Sequence, residues 1–406
     1  MTQPDPIQTF YERWPYPSQP PSLDEYRDRK SVPTACPAAT FHLFWPGRTP
    51  TDDLTILHAG CGTTQVVAAA LWDRRARFVA IDVSKMSIDQ TRAMADRYKL
   101  TNIEFHCMPL EQVSKLNRQF DLIVCSGVLH HLSDPDAGLR ALREVLVRDG
   151  SIYIMVYGKL GRVGVYAIQE YCRILGLQPT EGELKDLSQM LEQLPQDHPI
   201  RPVLHKARDI ASHQGIADLL LNPRDQAYSV PELYQWLDRC DMKLQRWLPQ
   251  ANYLPQCCPL TITPHLGRIR SLPEPSQHAA VELFRGHLNT HSFLACRNDC
   301  PRESYEIRFD NPTWRKLVPI VMPTTGSRPV TDRPGYSMQL FDSTHEFPVG
   351  NMLISMSQVS LLRLMDGNRS LAQIAAESRQ PDAERLTVDL FRQLWDFDHV
   401  MFKRIN

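Results

Sequence analysis

The sequence predicts an α/β protein: a doubly wound, mostly parallel sheet carrying a helical cap insertion, with a small separate unit at the C-terminal end. Three observations predict it. Short apolar runs recur at Leu54–Ala59, Arg77–Ile81, Ile103–His106, Phe120–Cys125 and Ser151–Tyr157, and most are separated by stretches of helical character. Alternation of this kind implies parallel strands with helices on both faces. The first run breaks into Gly60-Cys61-Gly62-Thr63-Thr64-Gln65, a glycine turn leading to a helix, and the second ends in Asp82.

Each element is read from local signals. After the turn, Thr64–Trp72 reads as the first helix. Ser84 is a natural N-cap for a helix over Lys85–Lys99. Asp134-Pro135 starts another over Asp136–Leu146. From Gly158 to about Tyr228 the chain leaves the strand pattern. Leu184–Leu194 has apolar residues at helical spacing, and Pro195, Pro199 and Pro202 then interrupt the pattern, so 158–228 reads as a mainly helical cap. A helix at Pro231–Arg239 and a strand at Lys243–Leu248 return to the sheet. The expected domains are an arm over 1–50, a core domain over 51–262, a connecting region over 263–335, and a C-terminal unit over 336–406. In that last unit Ser357–Met365, Ser370–Glu377 and Ala383–Phe397 read as helices and Val400–Arg404 as a strand.

Proline is over-used, at 32 of 406 residues. Pro4, Pro6, Pro15, Pro17, Pro20 and Pro21 all precede Leu23, so the N-terminal segment reads as an extended arm. It carries Phe10, Tyr11, Trp14 and Tyr16, which need somewhere to bury. Such an arm serves either as packing or as a lid over a ligand.

The glycine turn and Asp82 describe a pocket. A strand that breaks into a helix presents free backbone N–H groups to whatever binds there. A carboxylate closing the next strand can accept hydrogen bonds from both hydroxyls of a ribose. Gly60 and Gly62 fit a dinucleotide turn, but Gln65 stands where its third glycine belongs, and no phosphate-loop lysine comes after it. The turn therefore favours a nucleoside cofactor without a pyrophosphate.

The chain resembles the class I S-adenosylmethionine-dependent methyltransferases, whose fold is Rossmann-like. The resemblance rests on HAGCGTTQ (58–65), FVAIDVS (78–84), FDLIVCSGVLHHLSDP (120–135) and LREVLVRDGSIYIMVYG (142–158). A closer likeness is to bacterial methyltransferases often fused to tetratricopeptide repeats. It rests on Tyr11-Glu12-Arg13-Trp14-Pro15-Tyr16-Pro17, Leu194-Pro195-Gln196-Asp197-His198-Pro199 and Asp218-Leu219-Leu220, although no repeat array occurs here. The segment Leu361 to Ala375 also resembles a small winged-helix module. Its second helix lacks lysine and arginine, which points away from DNA and towards protein contact, dimerisation or structural packing.

The resemblance implies S-adenosyl-L-methionine as cofactor and a role for each matched position. Gly60, Cys61 and Gly62 let the backbone approach its methionine part and ribose. Asp82 holds the ribose hydroxyls, and Val83 lies against the adenine. Met108, Pro109 and Leu110 offer backbone groups to the adenine where relatives often have an acid. Ser126 and Gly127 lie beneath the cofactor. His58 replaces an acid common in the family. Tyr11 and Tyr16 belong to a cofactor lid, with Tyr157 and Asp218 as further candidates for the lid or the acceptor pocket. His130 and His131 are candidate general bases, or else packing residues of their loop.

Composition bounds the rest. A net charge of −1 gives no electrostatic footprint for nucleic acid or an anionic membrane. No apolar run is long enough to span a bilayer, and the first residues lack a signal-peptide pattern. The expectation is a soluble, cytoplasmic enzyme with reduced cysteines. His287, His291, Cys296 and Cys300 have spacings that a zinc site could use, but the cysteine gap is wider than usual, and no metal is expected. The acceptor is left open between a protein or peptide side chain and a small metabolite. A catalytically silent cofactor- or partner-binding scaffold and a nucleic-acid methyltransferase are the alternatives.

Overall fold

The five expected core strands form, and they form in the order that makes a pocket. In the computed structural model, which describes residues 5–206, 212–342 and 352–405, they are β1 (Thr55–Ala59), β2 (Arg77–Asp82), β3 (Ile103–Cys107), β4 (Phe120–Ser126) and β5 (Leu146–Gly158). All pair in parallel, in the spatial order β3-β2-β1-β4-β5. The chain thus builds outward from β1 to β3 and then crosses back to place β4 on the other side of β1. Strand ends diverge at such a reversal, and ligands bind in the resulting crevice. The central strands are buried on both faces, which explains their continuous apolar character. The helix Gln65–Trp72 is buried from Val66 onward.

The expected caps are present. Ser84 accepts a hydrogen bond from the Ser87 N–H at 3.1 Å, and Asp134 accepts one from Ala137 N–H at 2.9 Å. The insertion is helical, with helices at Val163–Leu175, Glu181–Gln193, Arg201–Lys206 and His213–Leu221. Leu184, Leu187 and Leu191 share a buried cluster with Ile168, Ile216 and Leu220.

The chain divides into two units. The first comprises Met1–Thr34, Asp52–Lys243 and Glu282–Asn298. β6 (Ala227–Tyr228) extends β5 in parallel at its far end. β7 (Met242–Trp247) begins in this unit and carries the chain out of it. β8 (Thr290–Arg297) lies antiparallel to β5, from Ile152↔Ala295 to Tyr157↔Thr290. It lies within 263–335, where Ser276–Cys296 reads from sequence as a helix and a strand of uncertain ownership, and the pairing assigns that strand to the core sheet.

Two further expectations change. The arm is not wholly extended, because Pro6–Arg13 is a helix. Asp5 caps it through the Ile7 N–H at 2.8 Å, and Pro6 occupies the first turn, where its missing N–H costs nothing. Phe10 and Trp14 join the cap's apolar cluster. His287 and His291 do not share a helix face either. The preceding helix ends at Arg285, and His291 lies in β8 with its Nε2 3.0 Å from the Tyr228 carbonyl oxygen. Among the described residues no three His, Cys, Asp or Glu side chains come together as a metal-binding group.

The second unit comprises Ala35–Thr51, Leu244–Val281 and Asp299–Asn406. β9 (Leu317–Val321) pairs antiparallel with the last strand, while β10 (Thr325–Pro329), β11 (Tyr336–Asp342) and β12 (Met352–Ser355) make a three-stranded antiparallel sheet. The three expected helices come next, at Met356–Leu362, Leu371–Ser378 and Ala383–Asp396, then β13 (Val400–Arg404). Ser355 with Gln358, and Ser370 with Gln373, form capping boxes. Leu361, Leu371, Ile374, Leu390, Phe391 and Phe402 make its core. β9 and β10 were not anticipated in the proline-rich stretch Asp299–Tyr336. Pro319 lies within β9 and Pro329 ends β10, and edge strands tolerate that.

Candidate active site

The first unit encloses a cavity of about 860 Å³ at the carboxyl ends of β1, β2 and β4. Its floor is backbone. Gly60 and Gly62 adopt left-handed φ of +71° and +55°, a conformation side chains disfavour. A Cβ on Gly60 would sit 2.3 Å from Val128 Cγ2, and one on Gly62 would meet the Tyr16 carbonyl oxygen at 3.0 Å. Both positions therefore keep the backbone bare beside the cavity. Gly127, also left-handed at +74°, ends β4 in the same way.

Asp82 closes β2 and faces this turn. One carboxylate oxygen accepts from the Gly62 N–H at 3.0 Å, and the other from the Ser84 N–H at 2.9 Å. Burial nevertheless dominates, and raises its pKa to about 6. A carboxylate has about four acceptor positions, so two backbone bonds leave capacity for a diol.

The N-terminal segment forms one wall. Thr63 Oγ1 donates to the Pro17 carbonyl oxygen at 2.6 Å, and Gln19 Nε2 to the Thr63 carbonyl oxygen at 3.2 Å. Glu12 accepts the backbone N–H groups of Lys85 and Met86 at the start of the helix Lys85–Arg97, where a carboxylate is favoured by the helix dipole. These bonds hold Tyr11, Tyr16 and Pro17 against the cavity.

Beyond the glycine floor the lining becomes polar. Tyr11 Oη donates to Asp218 Oδ1 at 2.8 Å, and Tyr157 Oη to Asp218 Oδ2 at 3.4 Å. Asn222 Nδ2 donates to Asp218 Oδ1 at 3.1 Å. Burial, with Asp218 next, holds both phenols well above their ordinary pKa, so they stay protonated donors. Arg162 pairs with Asp225 at 2.7 Å and lies 3.6 Å over the Tyr157 ring. His131 Nδ1 is 2.5 Å from the Arg224 carbonyl oxygen. A carbonyl can only accept, so Nδ1 carries the hydrogen and Nε2 of the neutral ring keeps its lone pair.

The cavity thus brings together Tyr11, Tyr16, Gly60, Cys61, Gly62, Asp82, Val83, Met108, Pro109, Leu110, Ser126, Gly127 and His131, with Tyr157 and Asp218. It does not take in His58 or His130. His58 is 2% exposed inside β1, near Phe78, and burial alone depresses its pKa to about 3. His130 is fully buried, with its ring 4.0 Å from that of Tyr157, and desolvation holds it neutral. Sequence reasoning passed over Arg162 and Arg224. Arg162 had a usable signal, standing just beyond the carboxyl end of a parallel strand, whereas Arg224 lies in a cap segment with none.

Residues 56–150 match the family model described as a methyltransferase domain. The chain is 26% identical over 312 residues to an uncharacterized protein of Synechococcus sp., covering 73% of this chain and 72% of that protein. It is 28% identical over 106 residues to the ubiquinone biosynthesis O-methyltransferase of Neisseria meningitidis, covering 26% of this chain and 44% of the enzyme. The chain thus spans less than half the length of that enzyme. Among solved structures, PKMT2 from Rickettsia typhi superposes with a TM-score of 0.65 at 15% identity, over 95% of this chain and 78% of that one. Its complex with AdoHcy matches at the same TM-score. At that identity the likeness establishes fold. Together with the switch-point cavity, these matches define a methyltransferase domain over residues 56–150. More particularly, the core has the Rossmann-like fold of the class I S-adenosylmethionine-dependent methyltransferases. Among the described residues no helix is long and apolar enough to cross a membrane.

Proposed function

We propose that the protein transfers a methyl group from S-adenosylmethionine to an oxygen or nitrogen nucleophile on a small molecule, with His131 as general base. The fit to the cofactor is supported by the bare backbone at Gly60 and Gly62 and by the spare acceptor capacity of Asp82. In this reading Asp82 takes the ribose hydroxyls and Val83 the adenine face. Met108, Pro109 and Leu110 border the base, and Ser126 and Gly127 lie beneath. Tyr11 and Tyr16 exclude water from above. When bound, the cofactor supplies a methyl group on a sulfonium, whose carbon–sulfur bond pair stays on sulfur as the acceptor's lone pair forms the new bond.

The chain's own contribution is then position and proton removal. Orienting two reactants can supply roughly 7–11 kcal/mol of a barrier, which suits a site with no fixed catalytic triad. The proton released by the acceptor goes to His131 Nε2, and the Arg224 carbonyl fixes the tautomer that allows it.

One observation carries the small-molecule reading. One cavity of about 860 Å³ is lined by the glycine floor and by His131 and Asp218, and that volume, shared between cofactor and acceptor, lies within the roughly 300–1,000 Å³ of small-molecule sites. The test is incubation with methyl-labelled cofactor and a host lysate split by size. Label is expected in the small-molecule fraction. Label confined to protein or nucleic acid overturns the acceptor class.

A further inference from the structure

We propose that the acceptor end of the cavity is a subsite for a protonated amine, with Asp218 as its counter-ion. This rests on the methyl-transfer reading above and narrows its acceptor to molecules carrying a cationic nitrogen.

A charge count around one wall supports it. Asp218 lines the cavity and is only 3% exposed. Its oxygens accept from Tyr11 Oη, Tyr157 Oη and Asn222 Nδ2, all neutral donors. Among the described residues no cation pairs with it. The two nearby guanidinium groups are already committed. Arg162 holds Asp225 at 2.7 Å, and both side chains are almost fully buried. Arg224 holds Asp5 at 3.2 Å and also donates to the His131 carbonyl oxygen at 3.1 Å. Asp225 is further bound by Tyr166 Oη and Gln169 Nε2, so that pair closes on itself. Among the described residues, one negative charge is therefore left over on this side of the cavity.

A buried carboxylate without a cation is costly, and proteins generally pair it. The neutral donors hold the Asp218 carboxylate in a fixed orientation without cancelling its charge. Tyr11 also brings an aromatic ring to the same wall, and ring faces attract cations. A carboxylate set among tyrosines suits an ammonium group. It disfavours a carboxylate or phosphate ligand, which would meet a like charge with no uncommitted guanidinium among the described residues to offset it.

The test uses three fragments of one size, benzylamine, benzyl alcohol and benzoate, binding to the full chain saturated with S-adenosylhomocysteine. Ligand-observed NMR gives relative affinity. Benzylamine is expected to bind at least tenfold tighter than the other two, and to lose at least tenfold in Asp218→Asn. The wild-type preference stands whether or not the variant folds. Absence of an amine preference, or unchanged benzylamine affinity in a folded Asp218→Asn, overturns the subsite. Calorimetry on the same variant separates the rival assignment to the cofactor's own sulfonium. Equal retention of S-adenosylmethionine and S-adenosylhomocysteine binding supports the acceptor role, and a loss confined to S-adenosylmethionine overturns it. Failure of the wild type to bind either cofactor form strikes instead at the methyl-transfer reading.

Discussion

Asp82→Asn separates the charge of this side chain from its shape, and its consequences come from two backbone bonds and one pKa. The wild-type carboxylate accepts from the N–H groups of Gly62 and Ser84, one on each oxygen. An asparagine keeps one oxygen and turns an NH₂ towards the other donor, so one backbone bond becomes a donor–donor contact. Hydrogen bonds to charged groups contribute about 1.5–3 kcal/mol each. The variant loses one such bond within the protein and, for a bound ribose, the charge on another. The cofactor-linked part alone corresponds to roughly a 10- to 150-fold loss of affinity, at about 1.4 kcal/mol per tenfold. Isothermal calorimetry with S-adenosylhomocysteine measures it.

The pH dependence is the sharper half of this prediction. Burial raises the Asp82 pKa to about 6 in the free protein. The diol binds the ionised form, so cofactor affinity is full above about pH 7 and falls as pH drops through about 6. Far enough below, the loss approaches tenfold per pH unit. At pH 5 the ionised fraction is about one in eleven, so the dissociation constant should rise about tenfold over its value at pH 7.5. Binding near pH 6 should also release a proton, seen as a dependence of the heat on the buffer's ionisation enthalpy. In Asp82→Asn both effects should vanish. A wild-type affinity flat from pH 7.5 to 5, or a variant retaining the same slope, would contradict this linkage.

Other substitutions probe single contacts. Gly60→Ala places a Cβ 2.3 Å from Val128 Cγ2 at a φ of +71°; a stability loss of about 1–3 kcal/mol in urea unfolding is expected, partly restored by adding Val128→Ala. Unchanged stability would mean the turn relaxes freely. His131→Gln can keep a bond to the Arg224 carbonyl but cannot take a proton; single-turnover methyl transfer to the labelled lysate fraction should slow by about 10²- to 10⁴-fold at unchanged cofactor affinity, and an unchanged rate removes it as base. In the second unit, the buried Arg246–Asp398 pair at 2.7 Å also gives Ala251 N–H its acceptor. Asp398→Ala should cost about 3–5 kcal/mol by stranding the guanidinium, and a denaturation midpoint within error of the wild type would count against that.

How legible each part of this fold and site was in the sequence depends on the distance over which it is assembled. β1 to β5 were legible because strands buried on both faces are short apolar runs, and their helices carry caps within a few residues, as Ser84 and Asp134 do. The glycine floor of the cavity was legible for the same reason: Gly60, Gly62, Asp82 and Gly127 each stand at the end of a strand, and their geometry is local. Adjacency misled where a side chain's direction mattered. His58 lies two residues before Gly60, yet points into the sheet beside Phe78. His130 precedes His131, yet its ring is shut against Tyr157. The proline count misled in another way, since Pro6 begins a helix and the next proline is Pro15, leaving one free run between them. β8 could not be placed because its partner β5 lies far back in the chain. The acceptor wall is the extreme case. Tyr11 comes from the N-terminal helix, Tyr157 from β5, and Asp218 with Asn222 from the last cap helix and its end. Only folding brings them together, so their meaning as a charged subsite exists in no single stretch of sequence. This division is what a switch-point scaffold allows: the glycine end of the cavity is fixed by backbone, while the far end is free to be built from whatever the cap and arm bring to it.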